Sequence, residues 1–398
     1  MNSTIEKHLL KIKEEIIHTR RHLHQHPEVS NEEVETSKLI QVKLTEYGIP
    51  FESGFAKNGV LGIIKGSKPG KTVALRADMD ALPIQELNDH DFISTHANAM
   101  HACGHDAHTS MLLGAGYILQ QMREEIHGTV LLVFQPAEEN SPIGGASVMM
   151  DDGVFDTYKP DVIYGQHVWP NLPVGTMGIR DTKMMGATDR FKLKIIGNGG
   201  HASMPHQTCD AIVTAGHMIT ALQTVVSRNV DPLEPSVISI GKINGGYTHN
   251  VIADQVVLEG SIRSYSTEVK KTLKGRFHKI VEQTADMFDS DVEIEYFDGY
   301  PATINTPKWA AVARKSAQSV LGDAATPTVE PSLAGEDFSR FLEAYPGAFI
   351  WLGTQIDNKE EQRPLHDPRF KLNEDALQHG SAVLVQIAID TLDKLREE

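Results

Sequence analysis

Nine consecutive residues, Met100-His-Ala-Cys103-Gly-His105-Asp106-Ala-His108, hold a thiol, three imidazoles and a carboxylate. Cys103 and His105 are two apart and so cannot share a helix face, but in a loop at a strand end both can turn toward one ion. Thiolate and imidazole are the ligands that borderline transition metals prefer, and Asp106 could orient an imidazole from behind. A pair of carboxylates, Glu138 and Glu139 in Gln135-Pro-Ala-Glu-Glu, follows the apolar run Val130–Phe134. Pro136 breaks a strand ladder, so the pair leaves the sheet as a stiff loop in which one carboxylate can bind metal while the other handles protons. Asp78 and Asp80 follow the apolar run Val73–Leu75 and face one way if extended geometry continues. His167 follows Val162–Gly165, and His366 lies between prolines in Pro364-Leu-His-Asp-Pro368. Each feature alone has a structural reading: a buried free thiol, an acidic turn, a strand-end cap, a loop imidazole. The carboxylate pair, the Asp78–Asp80 pair and His167, however, follow apolar runs that read as strands, and α/β folds place their sites at the C-terminal ends of parallel strands.

The elements that must position these residues follow from periodicity. Ser3 with Glu6 forms a capping-box start, and Ile5, Leu9, Ile12, Ile16 and Leu23 recur at helical spacing up to Pro27. Ser30 with Glu33 opens a second helix that runs to about Tyr47. Strands at 60–64, 72–76, 129–134 and 161–166 then alternate with helices after Asp106 and near 146–150, the rhythm of an α/β fold with a largely parallel sheet. Around Gly186 the texture changes to the order β-α-β-β-α-β, that of a split βαβ, ferredoxin-like unit, before the α/β texture resumes. The expected architecture is a discontinuous catalytic domain (1–186 and 299–398) carrying an inserted domain at 187–298. Gly66-Ser-Lys-Pro-Gly-Lys71-Thr72 is one residue short of a phosphate-binding loop and leads into a strand, so it reads as a turn.

A chain of 398 residues exceeds one ordinary core, and 40% hydrophobic with 23% charged residues is a globular composition. The net charge of -16 argues against nucleic acid as partner. Two cysteines, a charged N-terminus and no apolar run of about 20 residues lead to the expectation of a cytoplasmic protein without membrane spans.

Arg76-Ala-Asp-Met-Asp-Ala-Leu-Pro, Met100-His-Ala-Cys-Gly-His-Asp, Gln135-Pro-Ala-Glu-Glu, Gly199-Gly-His201-Ala and Gly335-Glu-Asp337-Phe resemble, in order and over essentially the whole chain, the motifs of the M20 metallopeptidase family. Within it they are similar to the amidohydrolase branch of hippurate hydrolases, N-acetyl-diaminopimelate deacetylases, aminoacylases and auxin-conjugate hydrolases. The resemblance implies two divalent metal ions bound by Cys103, His105, Glu139, His167 and His366, with manganese favoured over zinc, cobalt or nickel. The wider family has a bridging aspartate where Cys103 stands and a His-x-Asp motif where this chain has Asp78-Met-Asp80, a departure that fits the branch. It further implies Glu138 as proton shuttle, Asp80 orienting His105, His201 facing the oxyanion, and Asn250 and Arg263 holding a substrate carboxylate, with Gly335 shaping the floor. The expected reaction is amide hydrolysis of N-acyl amino acids by a homodimer joined through the inserted, lid-like domain. A dipeptidase or carboxypeptidase would use the same centre. A catalytically silent ligand-binding protein on this scaffold is disfavoured because Glu138 and every ligand are retained.

Overall fold

The computed structural model describes residues 2–398. The chain divides into two compact units, one of 1–184, 304–331 and 337–398, the other of 185–303 with Ser332–Glu336. The segments 299–303 and 332–336, placed by sequence with the larger part, thus cluster with the smaller one.

The larger unit is built on a seven-stranded mixed sheet. Its strands run in the spatial order Phe51–Phe55, Gly59–Lys65, His127–Gln135, Lys68–Asp78, Val162–Trp169, Gly347–Gly353, Met177–Gly178. The four central strands, from His127–Gln135 to Gly347–Gly353, are mutually parallel and the flanking pairs antiparallel. Being covered on both faces, these central strands read as unbroken apolar runs such as Val-Leu-Leu-Val-Phe at 130–134, all buried. From Lys68–Asp78 the chain crosses to His127–Gln135 on one side, then returns to Val162–Trp169 on the other. This reversal of strand order opens a crevice at the carboxyl ends of the strands, where the candidate residues lie. Helices Ser3–Gln25, His105–Gln121 and Asp375–Arg396 pack together and share the core with the sheet through Ile5, Leu9, Ile12, Ile16, Met111 and Leu384.

The first helix is capped by Asn2, whose side chain accepts from Thr4 N (2.9 Å), rather than by Ser3. The second helix begins at Val34, and neither Ser30 nor Glu33 caps it. Gly66 and Ser67 form the turn between two strands, whereas Pro69 and Gly70 lie within strand Lys68–Asp78, where its register with His127–Gln135 shifts between Lys68 and Thr72.

In the smaller unit, strands Ala187–Ile196, Ser236–Gly245, Gln255–Ser264 and Asp291–Asp298 form an antiparallel sheet with helices Ala211–Asn229 and Thr267–Met287. Phe191, Leu193, Met218, Leu222, Leu258 and Phe277 make its own core. Cys209 precedes Asp210, the N-cap of the first of these helices. Among the described residues no helix is long and apolar enough to cross a membrane.

Candidate metal centre

Three strand ends and one helix start converge in the larger unit. Gly104, at φ +83, is the left-handed N-cap of helix His105–Gln121, and a Cβ there would lie 2.4 Å from Val168 Cγ2. Only glycine fits, and the sharp turn lets Cys103 and His105 face one cluster. Cys103 Sγ lies 3.4 Å from His167 Nε2 and 3.3 Å from His366 Nε2, which in turn is 3.2 Å from Glu139 Oε1. Ligand atoms of Cys103, His105 and His167 lie within 4.8 Å of one another, as do those of Cys103, Glu139 and His366, and those of His105, Glu138 and Glu139. Cys103 therefore belongs to two groups at once.

The residues the sequence marked as metal ligands all meet here. His167 is not beyond its strand but within it, since Val162–Trp169 continues past Gly165 in register with Gly347–Gly353. His366 reaches the site from a loop at φ +67, pinned by its amide to Ala102 O (2.8 Å). Non-glycine residues in that region are strained and persist where their surroundings over-determine them. Ala137, just before the Glu138–Glu139 pair, is another, at φ +57.

Protonation states are set by burial and charge. His105 is fully buried, with Nδ1 3.1 Å from Asp80 Oδ1 and no hydrogen-bond partner for Nε2 among the described residues. Burial alone would lower its pKa, but the Asp78, Asp80 and Glu139 carboxylates raise it to about 10. His167 Nδ1 donates to Val168 O (2.7 Å), leaving Nε2 toward Cys103, and burial together with His108 holds this imidazole well below its ordinary pKa, hence neutral. Burial and the nearby Glu139, Glu138 and Asp78 carboxylates push the Cys103 thiol well up. The surplus of negative side chains around a buried thiol is an environment a cation would relieve.

Beneath the cluster lies a buried network that sequence reasoning did not resolve. Arg76 donates to Asp78 Oδ2 (2.6 Å), Gln135 Oε1 (2.8 Å) and Asp337 Oδ1 (2.9 Å). Asp78 also bonds His108 Nδ1 at 2.5 Å, and His108 Nε2 accepts the Val168 amide (2.8 Å), one residue from His167. Burial raises the Asp337 carboxyl to about 6 despite Arg76. Ser30 donates to Asp80 Oδ2 (2.6 Å), and Glu33 accepts the Ala137 amide (2.8 Å), so both supposed capping residues serve the site instead. The Ser-x-x-Glu signal that marked them is the one a capping box gives.

Asp106 does not orient a histidine of the cluster: it is ion-paired with Arg20 (2.9 Å) and accepts from His24 Nδ1 (2.7 Å), and Glu86 lies 3.2 Å from His24 Nε2. Of the three imidazoles in the 100–108 segment, His105 groups with Cys103 and His167, His108 groups with Asp78 and His105, and His101 is buried, its pKa lowered to about 4 by burial.

His201, Asn250, Arg263 and Gly335 belong to the smaller unit. His201 is exposed, pairs with Val251, and its Nδ1 accepts Ser203 N (3.1 Å). Asn250 is exposed and its carbonyl accepts Ala202 N (3.1 Å), so these two share one loop cluster. Arg263 is half-buried in strand Gln255–Ser264, and a Cβ at Gly335 would lie 2.4 Å from Thr188 Cγ2.

A cluster of metal-ligating side chains at the switch point of a largely parallel sheet, with the Glu138 carboxylate beside it, defines a metallohydrolase type of site. The profile of peptidase family M20/M25/M40 matches residues 74–390, and the chain belongs to that family and is a hydrolase acting on amide bonds. It is 41% identical over 99% of its length, and 91% of the relative's, to an N-acetyl-L-cysteine deacetylase of Bacillus subtilis. It is also 39% identical to thermostable carboxypeptidase 2 of Saccharolobus solfataricus, over 96% of this chain and 97% of that one. A Bacillus subtilis structure described as a dinuclear metal-binding peptidase of family M20 superposes with a TM-score of 0.83 at 35% identity, covering 96% of this chain and 99% of that one.

Proposed function

We propose that the protein hydrolyses the amide bond of N-acyl amino acids at a centre of two divalent ions. The observation that carries the reading is Cys103 in two ligand groups, with His105 and His167 on one hand and Glu139 and His366 on the other. The donor set fits: His105 presents a buried Nε2 without a hydrogen-bond partner, and His167 is neutral with its free nitrogen toward the thiol. Cys103 would offer such ions a thiolate, softer than a carboxylate, so zinc, cobalt and nickel would compete with manganese, the ion favoured by the family branch.

Divalent ions held there supply Lewis acidity toward a carbonyl and toward an attacking water. Glu138, only 6% exposed and adjacent to the ligand Glu139, takes the water's proton and passes it to the leaving amine. Asp80 fixes the tautomer of His105, and Ser30 and the Glu139 amide (3.0 Å) hold Asp80 in turn. His201 donates to the developing oxyanion, and Arg263 with Asn250 binds the substrate's α-carboxylate. The working unit is a homodimer joined through the smaller unit, in which His201 serves the partner's site.

Deacetylases and carboxypeptidases match this chain at nearly equal identity, so the substrate panel decides. N-acetyl and N-benzoyl amino acids should be cleaved faster than dipeptides and carboxyl-blocked analogues, with activity lost to chelation and restored by manganese. Equal rates on N-acyl amino acids and their amides would remove the carboxylate clamp. Full activity in metal-free protein would remove the metal centre. Arg263→Ala should mainly raise KM, by a factor equivalent to about 2–3 kcal/mol of charge-assisted bonding.

A further inference from the structure

Glu33 is a fully buried carboxylate, and such a group is expensive to keep out of water without strong partners. It sits at the N-cap of helix Val34–Glu46, yet that helix takes no side-chain cap from it. Its oxygens are spent elsewhere: Oε1 accepts from Asn31 N (2.9 Å) and Ala137 N (2.8 Å), and Oε2 accepts from Asn58 Nδ2 (3.0 Å). Ala137 is the residue at φ +57, where a Cβ is disfavoured. The two residues that follow diverge. Glu138 Oε1 accepts the Asp337 amide at 3.3 Å, and Glu139 Oε1 lies 3.2 Å from His366 Nε2. On the far side of the hinge the Glu139 amide donates to Asp80 Oδ2 (3.0 Å), which Ser30 also holds (2.6 Å). The segment Ser30–Glu33 therefore grips the turn on both sides of Glu138.

We propose that Glu33 is a positioning residue: its bond to the Ala137 amide holds the left-handed hinge that aims Glu138 and Glu139 in different directions. Relaxing Ala137 to an extended conformation would rotate the next peptide and swing both carboxylates. Glu33 touches neither ion nor substrate; it acts through the backbone. This inference rests on the reading of Glu139 as a ligand and Glu138 as the shuttle.

The test is calorimetric titration of metal-stripped protein with Mn²⁺, with turnover of N-acetyl-L-cysteine measured alongside. Glu33→Ala should weaken Mn²⁺ binding by roughly 10–100-fold and lower kcat with little change in KM. Glu33→Gln, whose amide oxygen can still accept from Ala137 and Asn31, should return affinity to within about threefold of wild type. The specific signature is suppression: Ala137→Gly relieves the strain, so E33A/A137G should recover about tenfold over E33A. A merely structural loss would not be rescued at residue 137. Wild-type affinity in E33A, or no recovery in the double variant, overturns the proposal. Where E33A is too unstable to purify, Ala137→Val strains the same hinge with Glu33 in place, and it must weaken Mn²⁺ comparably; unchanged affinity in A137V overturns the proposal equally. Amide hydrogen exchange of residues 136–140 in metal-free protein reads the clamp directly. Lost protection in E33A, retained in E33Q, supports the clamp even if wild type binds no Mn²⁺, a result that would sink the metal centre alone; equal protection in E33A and wild type overturns the clamp.

Discussion

Gly104→Ala separates the backbone and steric reasons for the turn that joins Cys103 to His105. The residue stands at φ +83, so an alanine there meets the left-handed penalty of about 1–2 kcal/mol. Its Cβ would also lie 2.4 Å from Val168 Cγ2, an overlap that must move Val168 or the turn, at about 1–3 kcal/mol. The sum is roughly 2–5 kcal/mol. Gly175 offers a control, since it has φ +79 but nothing within 4 Å of its virtual Cβ, so Gly175→Ala carries the backbone penalty alone. Urea unfolding in chelator should therefore show G104A less stable than G175A by about 1–3 kcal/mol. Val168 follows His167 and its amide bonds His108, so displacement reaches two sides of the cluster, and metal affinity should fall roughly 10–100-fold in G104A alone. Equal stability and equal metal affinity in the two variants would refute the argument that this glycine aligns thiol and imidazole.

Further outcomes follow from the same geometry. Glu138→Gln should cut turnover by roughly 10²–10⁴ with metal content intact, whereas Glu139→Gln should deplete metal; elemental analysis showing the reverse pattern would exchange their roles. His24 sits between Asp106 and Glu86: burial lowers its pKa, but the two carboxylates overcome this and raise it. A raised folded pKa contributes stability that is complete below the unfolded value near 6.5 and is lost as pH rises through the folded value. The stability gap between wild type and His24→Asn should thus be wider at pH 6 than at pH 9 in urea titrations, and a pH-independent gap would contradict it. Refolding His201→Ala and Glu138→Gln chains together in equal amounts should return about a quarter of wild-type activity if His201 acts across a two-fold axis; no recovery excludes that arrangement.

The site was legible in sequence to the extent that it obeys local rules. Apolar runs ending in Asp78, Gln135 and the His167 segment are strands because both faces of a parallel sheet are buried, and their ends carry ligand-type residues for the same topological reason. Reading failed where one local pattern serves two purposes. Ser30-x-x-Glu33 satisfies a capping box on paper, yet tertiary contacts win: Ser30 donates to Asp80 and Glu33 accepts the Ala137 amide, while the helix start is served by the Glu28 carboxylate, which accepts from Glu35 N (3.1 Å) and Thr36 N (2.8 Å). Asp106 is next to His105 in sequence but one position around the helix, and it faces Arg20 and His24 instead. The partnership of Arg76 with Asp337 spans 261 positions, and no spacing rule reaches that far.

His366 lies 263 positions after Cys103, and the two side chains meet at one point. An ion gripping both would be a cross-link closing most of the polypeptide into a ring. In the chain-entropy picture used for covalent bridges, a loop of that length removes about 5–6 kcal/mol of freedom from the unfolded ensemble, which sets a ceiling for a reversible clasp. Synthesis runs from the N-terminus, so this clasp can shut only after residue 366 has emerged. A product truncated before residue 366 would keep the thiol, His105 and the glutamates while lacking the residue that draws the ring closed.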